Sequence, residues 1–270
     1  MDATERKLEL WRLAGENEPD LFGVAALLST IPDTVGSVIR FANSSYVGAF
    51  YPVSTVLDAV VRIGSRHVGA VALASLNREV ADRYEVPALA EDALAAGRAA
   101  RHIGRLMDFS QNERETLFVA GLFSSAGAAA LNGEDAGYLV WRANQWAKGL
   151  SEDQILRREL MAYGRDHALA AVNLLDEWNM PTQVIEAVSA HHAPRSRFDL
   201  ALWAGMTVVS AVSPARCHDV PFSASMLELG LEGHVNAVST EAVRYADAVL
   251  GDPERSPVTE QLSKPVAGAR

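Results

Sequence analysis

The stretch ELMAYGRDHALAAVNLLDEWNMPTQVIEAVSAHH, Glu159 to His192, decides the fold class. Its apolar residues recur three and four apart, so Leu160, Tyr163, His167, Ala171, Leu174 and Trp178 share one face of a helix over 159–178. That helix should stop before Pro181, because proline disfavours helical backbone at the residue preceding it. Pro181 itself suits the first position of the next helix, where a missing N–H is harmless. Val184, Val188 and His191 then line one side, with His192 beside them over Ile185 and Val188. The pattern puts His167 on a buried stripe and leaves two adjacent histidines near the end of the following helix.

The same period runs outward in both directions, and no sustained apolar/polar alternation interrupts it, so the expected class is all-α. Thr55 with Asp58 has the form of a capping box, after which Val56, Val60 and Ile63 share a face and Gly64 ends the run. Between Glu113 and Leu131, the residues Leu117, Phe118, Gly121 and Leu122 form a stripe that continues through Ser125, which should point inward in mid-helix. The segment 195–215 is apolar with Trp203 and Met206, and a weaker helical stretch follows to about Leu250. Pro253, Pro257 and Pro265 stand among polar residues in the last twenty, which are expected to be disordered.

Apolar residues make up 49% of the 270 and charged residues 21%, the proportions of a chain that buries a core. Lys and Arg number 24 against 34 Asp and Glu, a net charge of -10, so nucleic acid is not expected as a partner. The densest basic run, RAARHIGR from Arg98 to Arg105, has the spacing of a solvated helix face. Cys217 is the only cysteine, which excludes an internal disulfide and a cysteine zinc cluster and fits a reducing cytoplasm. No signal-peptide core is visible in the first twenty residues, and no later run reads as long and apolar enough to span a bilayer, so no membrane partner is expected.

Three stretches carry a family resemblance. VIRFANSSYVGAFYPVSTVLDAVVRIG, Val38 to Gly64, resembles the HDOD signature of Asn-Ser, an aromatic, a glycine and a helix closed by glycine, with Asn43, Ser44 and Gly48 in the loop. GLFSSAGAAAL, Gly121 to Leu131, is similar to a family segment that reads His-Asp where Ser124 and Ser125 stand here. The 159–192 stretch resembles the third, with its glutamate, glycine, histidine, tryptophan, proline and terminal His-His in the same order. The resemblance covers residues 8 to 215. It implies an N-terminal helical lobe packed on a degenerate HD-type helical lobe, followed by a helical extension over 216–250 and a tail over 251–270.

In the wider HD phosphohydrolase superfamily the His-Asp pair holds metal ions, and two neutral hydroxyls cannot offset a divalent cation. The resemblance also implies an earlier ligand histidine near EDALAAGRAA (91–100) and a late aspartate near LALWAGMTVV (200–209), and both are missing. His167, His191 and His192 remain as vestigial site positions and as candidates for a transition metal, although histidines hydrogen-bonded between helices are the plainer reading. Ser124 or Ser125 as a nucleophile lacks the glycine-flanked elbow, since Phe123 stands two before Ser125. Asn43 and Ser44 suit a cap or turn before the loop that Gly48 and Pro52 mark, and Trp141 and Trp146 suit a core or an interface.

The function expected is a non-catalytic signalling module with no cofactor, whose partner is another signalling protein or a small signalling molecule. The alternative is a metal-dependent phosphohydrolase or phosphodiesterase with ligands drawn from Glu159, Asp166 or Glu186. A sensor that uses the vestigial cavity shares the same sequence features as the first.

Overall fold

Side-chain caps at predictable places start many of the helices. Asp2 accepts the backbone N–H of Glu5 while the Glu5 carboxylate accepts that of Asp2, a reciprocal cap that opens α1 (Ala3–Ala14). The computed structural model describes residues 1–48, 50–84, 86–212 and 222–250, and among them there is no strand. Asp20 caps α2 (Leu21–Leu28), and Pro32 sits in the first turn of α3 (Pro32–Ala42). Thr55 accepts the Asp58 N–H to open α4 (Val56–Ile63), and Gly64, at φ +78°, turns the chain into α5 (Ser65–Arg83).

The middle of the chain continues through α6 (Pro87–Leu106), α7 (Gln111–Phe123) and α8 (Ala126–Glu134). Then come α9 (Tyr138–Ala147), α10 (Glu152–Tyr163), α11 (His167–Glu177), α12 (Thr182–Ala190) and α13 (Arg197–Val212). The described C-terminal part holds α14 (Phe222–Glu228), a 3₁₀ turn at Glu232–His234 and α15 (Val235–Leu250).

In the N-terminal lobe a fully buried Lys7 ties three helices together. Its ammonium lies 2.6 Å from Asp33 and also pairs with Glu79, joining α1 to α3 and α5. Burial works to raise the Asp33 pKa, but the Lys7 ammonium and the Ser75 hydroxyl hold its carboxyl below the ordinary range.

α6 packs against α5, α7, α13 and α15, and small residues let these neighbours come close. A Cβ on Gly121 of α7 would lie 2.6 Å from Gly97 Cα, and one on Gly205 of α13 would lie 2.5 Å from Ala100 Cβ. Leu94, Ala96, Ala99, Ala100 and Ile103 of α6 are buried in one hydrophobic core that runs from Leu8 to Val249. A satellite cluster of Ala128, Leu131, Tyr138 and Ala170 fills the space between α8, α9 and α11. Small residues, glycines above all, thus set the helix separation at these crossings.

Several expectations need correction. The 159–178 run is two helices, because Gly164 adopts φ +72° and closes α10, and Asp166 accepts the Leu169 N–H to cap α11. Leu160 is consequently exposed. Pro181 caps α12 and does not form its first turn. The run Gln111–Glu134, 24 residues with the α7–α8 junction inside it, does meet the length and apolarity of a membrane span, but 72% of its 18-residue apolar window is buried in the protein's own core. Arg98–Arg105 is a solvated face only at its end: Arg105 is exposed, but the Arg98 and Arg101 side chains are only 15% and 17% exposed and His102 is buried.

The extension expected over 216–250 is helical where it is described, and it packs into the main core. Val238, Ala242, Tyr245 and Val249 of α15 belong to the same core as α3 and α6. Cys217, Pro253, Pro257, Pro265 and the tail expected to be disordered, 251–270, lie outside the described residues.

Candidate functional site

The break between α10 and α11 builds the site. Once Gly164 has ended α10, the chain folds back so that Glu159 reaches the first turn of α11 eight residues later. The fully buried Glu159 Oε2 accepts both the His167 backbone N–H at 3.0 Å and its Nδ1–H at 2.8 Å. Its other oxygen accepts the Tyr138 hydroxyl at 2.9 Å and pairs with Arg142. Burial alone would raise the Glu159 pKa, yet the His167 hydrogen bonds and the Arg142 charge bring it down to about 2. The carboxylate is therefore ionised and committed to orienting His167.

With Nδ1 donating to Glu159, the His167 Nε2 lone pair faces outward, 2.7 Å from Nε2 of His192. His191, the terminal cap of α12, donates Nδ1–H to the Val188 carbonyl, so its Nε2 is likewise the acceptor nitrogen. His192 Nδ1 stands 3.5 Å from Glu152, which in turn pairs with Arg142. Each of the three imidazoles offers a ligand atom, and these atoms lie within 4.8 Å of one another. A cavity of about 320 Å³ opens beside them, lined by Trp146, Glu152, His191, His192, Trp203 and Thr207 among others.

Ser124 and Ser125 form the α7–α8 junction, where mid-helix was expected. Ser124 is the buried one, and its hydroxyl donates to the Gly121 carbonyl at 2.8 Å, while Ser125 is only half-buried. The junction lies against the histidine region because α8 packs on α11 through Gly127, where a Cβ would fall 1.8 Å from the His167 carbonyl oxygen.

This donor set fits one transition-metal ion and not two. Three imidazoles, two of them oriented through Nδ1 by a carboxylate and a backbone carbonyl, are the ligands and supports of a three-histidine site. A second ion needs a bridging carboxylate, and the junction supplies only neutral hydroxyls.

The remaining candidates fall elsewhere. Asp166 is the α11 cap, and Glu186 is exposed and joins none of the histidines. Asn43 closes the α3–α4 loop by bonding both the N–H and the carbonyl of Val53 at 2.8 Å, Ser44 bonds the Phe41 carbonyl at 2.7 Å, and Gly48 takes φ +71°. These three shape the α3–α4 loop. Trp141 packs with Tyr138 and Tyr163 in the satellite cluster, whereas Trp146 lines the cavity. Sequence reasoning missed Arg142, Tyr138 and Glu152, which no local spacing links to His167.

The family model described as the HDOD domain matches residues 4–194. A search of curated proteins gives no significant match. Among solved structures, a protein described as a candidate phosphohydrolase from Shewanella amazonensis aligns with a TM-score of 0.67 at 17% identity, covering 90% of this chain and 93% of its own. A candidate signal transduction protein from Marinobacter aquaeolei gives 0.67 at 20% identity, over 97% of this chain and 59% of its own. An HDOD domain protein of unknown function from Geobacter sulfurreducens gives 0.61 at 17% identity, over 96% of this chain and 87% of its own.

Proposed function

Because the chain belongs to the HDOD domain family, we propose that it is a non-catalytic module of bacterial signal transduction, acting by capture of a partner protein or a small signalling ligand. The likeness to solved structures carries the fold, and the reading itself rests on the donor set at the α7–α8 junction. The observation that supports it most is Ser124, whose buried hydroxyl is already bonded to the Gly121 carbonyl where hydrolytic chemistry requires a charged metal ligand. Glu159, the nearest buried carboxylate, is held by Arg142, Tyr138 and His167 and serves as an orienting group. The compartment this reading assumes is a reducing cytoplasm, in keeping with Cys217 as the single cysteine.

A second reading is favoured by the convergence of His167, His191 and His192, which would hold one ion if metal-dependent phosphohydrolase activity is present. A bound metal would polarise a phosphoryl oxygen. Of the chain's own residues, Glu159 would keep the His167 Nε2 lone pair exposed, and Glu152 stands close enough to His192 to steady its ring.

The two readings separate in a turnover assay on cyclic dinucleotides and a simple phosphodiester, with and without added manganese. The signalling reading expects no rate above the metal-only background and the same background for His167→Ala. Turnover that vanishes in His167→Ala and depends on manganese would overturn it.

A further inference from the structure

A second concave site lies at the opposite end of α7 from the histidines. Arg114 and Glu115 sit on the first turns of α7 and Ser124 at its end, about ten residues or roughly 15 Å away at 1.5 Å per residue. Arg98, Arg101, His102 and Arg105 follow one another three, one and three apart on α6, so one face of that helix carries all four. Together with Arg114 and Glu115, His67 of α5 and Glu241 of α15, they line a cavity of about 250 Å³.

Its charges do not balance. Arg98 pairs with Glu241, and Arg101 lies 2.7 Å from Glu115, which accounts for both carboxylates. His102 Nδ1 pairs with Glu241, and its Nε2 lies 2.9 Å from Arg105 Nη2, so this ring brings no negative charge to the cavity. His67 donates Nδ1–H to the Ile63 carbonyl at 2.8 Å, and burial, with Arg101 and Arg98 nearby, keeps its pKa below the ordinary value. Among the described residues no carboxylate pairs with Arg105 or Arg114. Four arginines therefore face two glutamates in a chain whose net charge is -10.

The walls are also held in place. Arg98 donates to the Tyr46 hydroxyl at 2.8 Å and lies 5.0 Å above the Tyr245 ring, so its guanidinium is fixed on two sides. Clustered guanidinium groups repel one another in a half-buried cavity, and a dianion set among them removes that repulsion while accepting paired N–H bonds.

We propose that this cavity is a binding site for a small phosphorylated ligand, with Arg105 and Arg114 as its free cationic contacts and Arg98 and Arg101 as its fixed wall. The volume admits a phosphate or diphosphate group, and the overall negative charge of the chain works against a nucleic-acid backbone. The site is separate from the histidine centre and does not depend on whether that centre is catalytic.

Calorimetric titration of the full chain at low ionic strength with inorganic phosphate, pyrophosphate and GDP tests it. The expected result is saturable binding of pyrophosphate, weakened about tenfold in Arg105→Gln and again in Arg114→Gln, and unchanged in Arg157→Gln on the exposed face of α10. Melting curves show whether each variant is folded, and either arginine variant alone is sufficient. GDP binding more tightly than pyrophosphate supports a nucleotide, and pyrophosphate binding as tightly as GDP supports a free polyphosphate. No saturable binding by any of the three, equal weakening in Arg157→Gln, or tighter capture of a single-stranded oligonucleotide through the same arginines would overturn it.

Discussion

Glu159 shows how one buried side chain can hold several others in place. Among the described residues it is the only carboxylate bonded to His167, and it is fully buried with Arg142, Tyr138 and the His167 backbone around it. Its folded pKa of about 2 lies below its usual value of 4.5, so the stability it contributes is complete above about pH 4.5 and is lost as the pH falls toward 2. Glu241 behaves in the same way, brought to about 2 by its hydrogen bond with His102 and by Arg98. Glu159→Gln should cost about 3 kcal/mol in urea unfolding at neutral pH, since Arg142 keeps a buried charge with less to balance it, and should flatten the acid limb of the stability profile. A variant that unfolds at the wild-type urea concentration would show that the carboxylate does not hold the site.

At the scale of elements, the helix crossings decide where the site forms. α8 and α11 touch through Gly127, whose missing side chain leaves room for the His167 carbonyl. Gly127→Ala should destabilise by about 3 kcal/mol, at the upper end of overpacking costs, with a shift in the His167 imidazole signals by NMR. Gly36 offers the contrast, since it lies on the exposed side of α3 and a Cβ there meets nothing within 4 Å. Gly36→Ala should stabilise by about 0.5 to 1 kcal/mol in the same measurement. The period of 3.6 predicted helices throughout, and they are there. It did not show the break at Gly164, because Leu160 to Trp178 keeps a helical spacing across a residue that turns left-handed. Asp166, two residues after Gly164, is the local sign of the new cap, set against an apolar spacing that runs unbroken past it.

For the whole molecule, the question is whether α15 belongs to the fold. Tyr245 stands edge-on to Phe41, Tyr46 and Phe118, which come from α3, the loop after it and α7. Tyr245→Ala should cost about 4 kcal/mol and lower the midpoint of a single unfolding transition followed by tryptophan fluorescence and by circular dichroism. If α15 were an independent extension, the main transition would stay where it is in the wild type.

Composition, helical period and motif order were enough to determine the all-α class, the family resemblance and the candidacy of His167, His191 and His192, since each depends on residue type and short spacing. The Ser124–Ser125 pair, standing where the resembled family carries His-Asp, was equally legible. Tertiary structure alone decided that the three imidazoles share one point, that Glu159 orients one of them, and that the arginines of α6 face a cavity. The reason is distance along the chain: Arg142, Glu241 and Arg114 meet their partners only after helices cross, and no local pattern encodes which faces will meet.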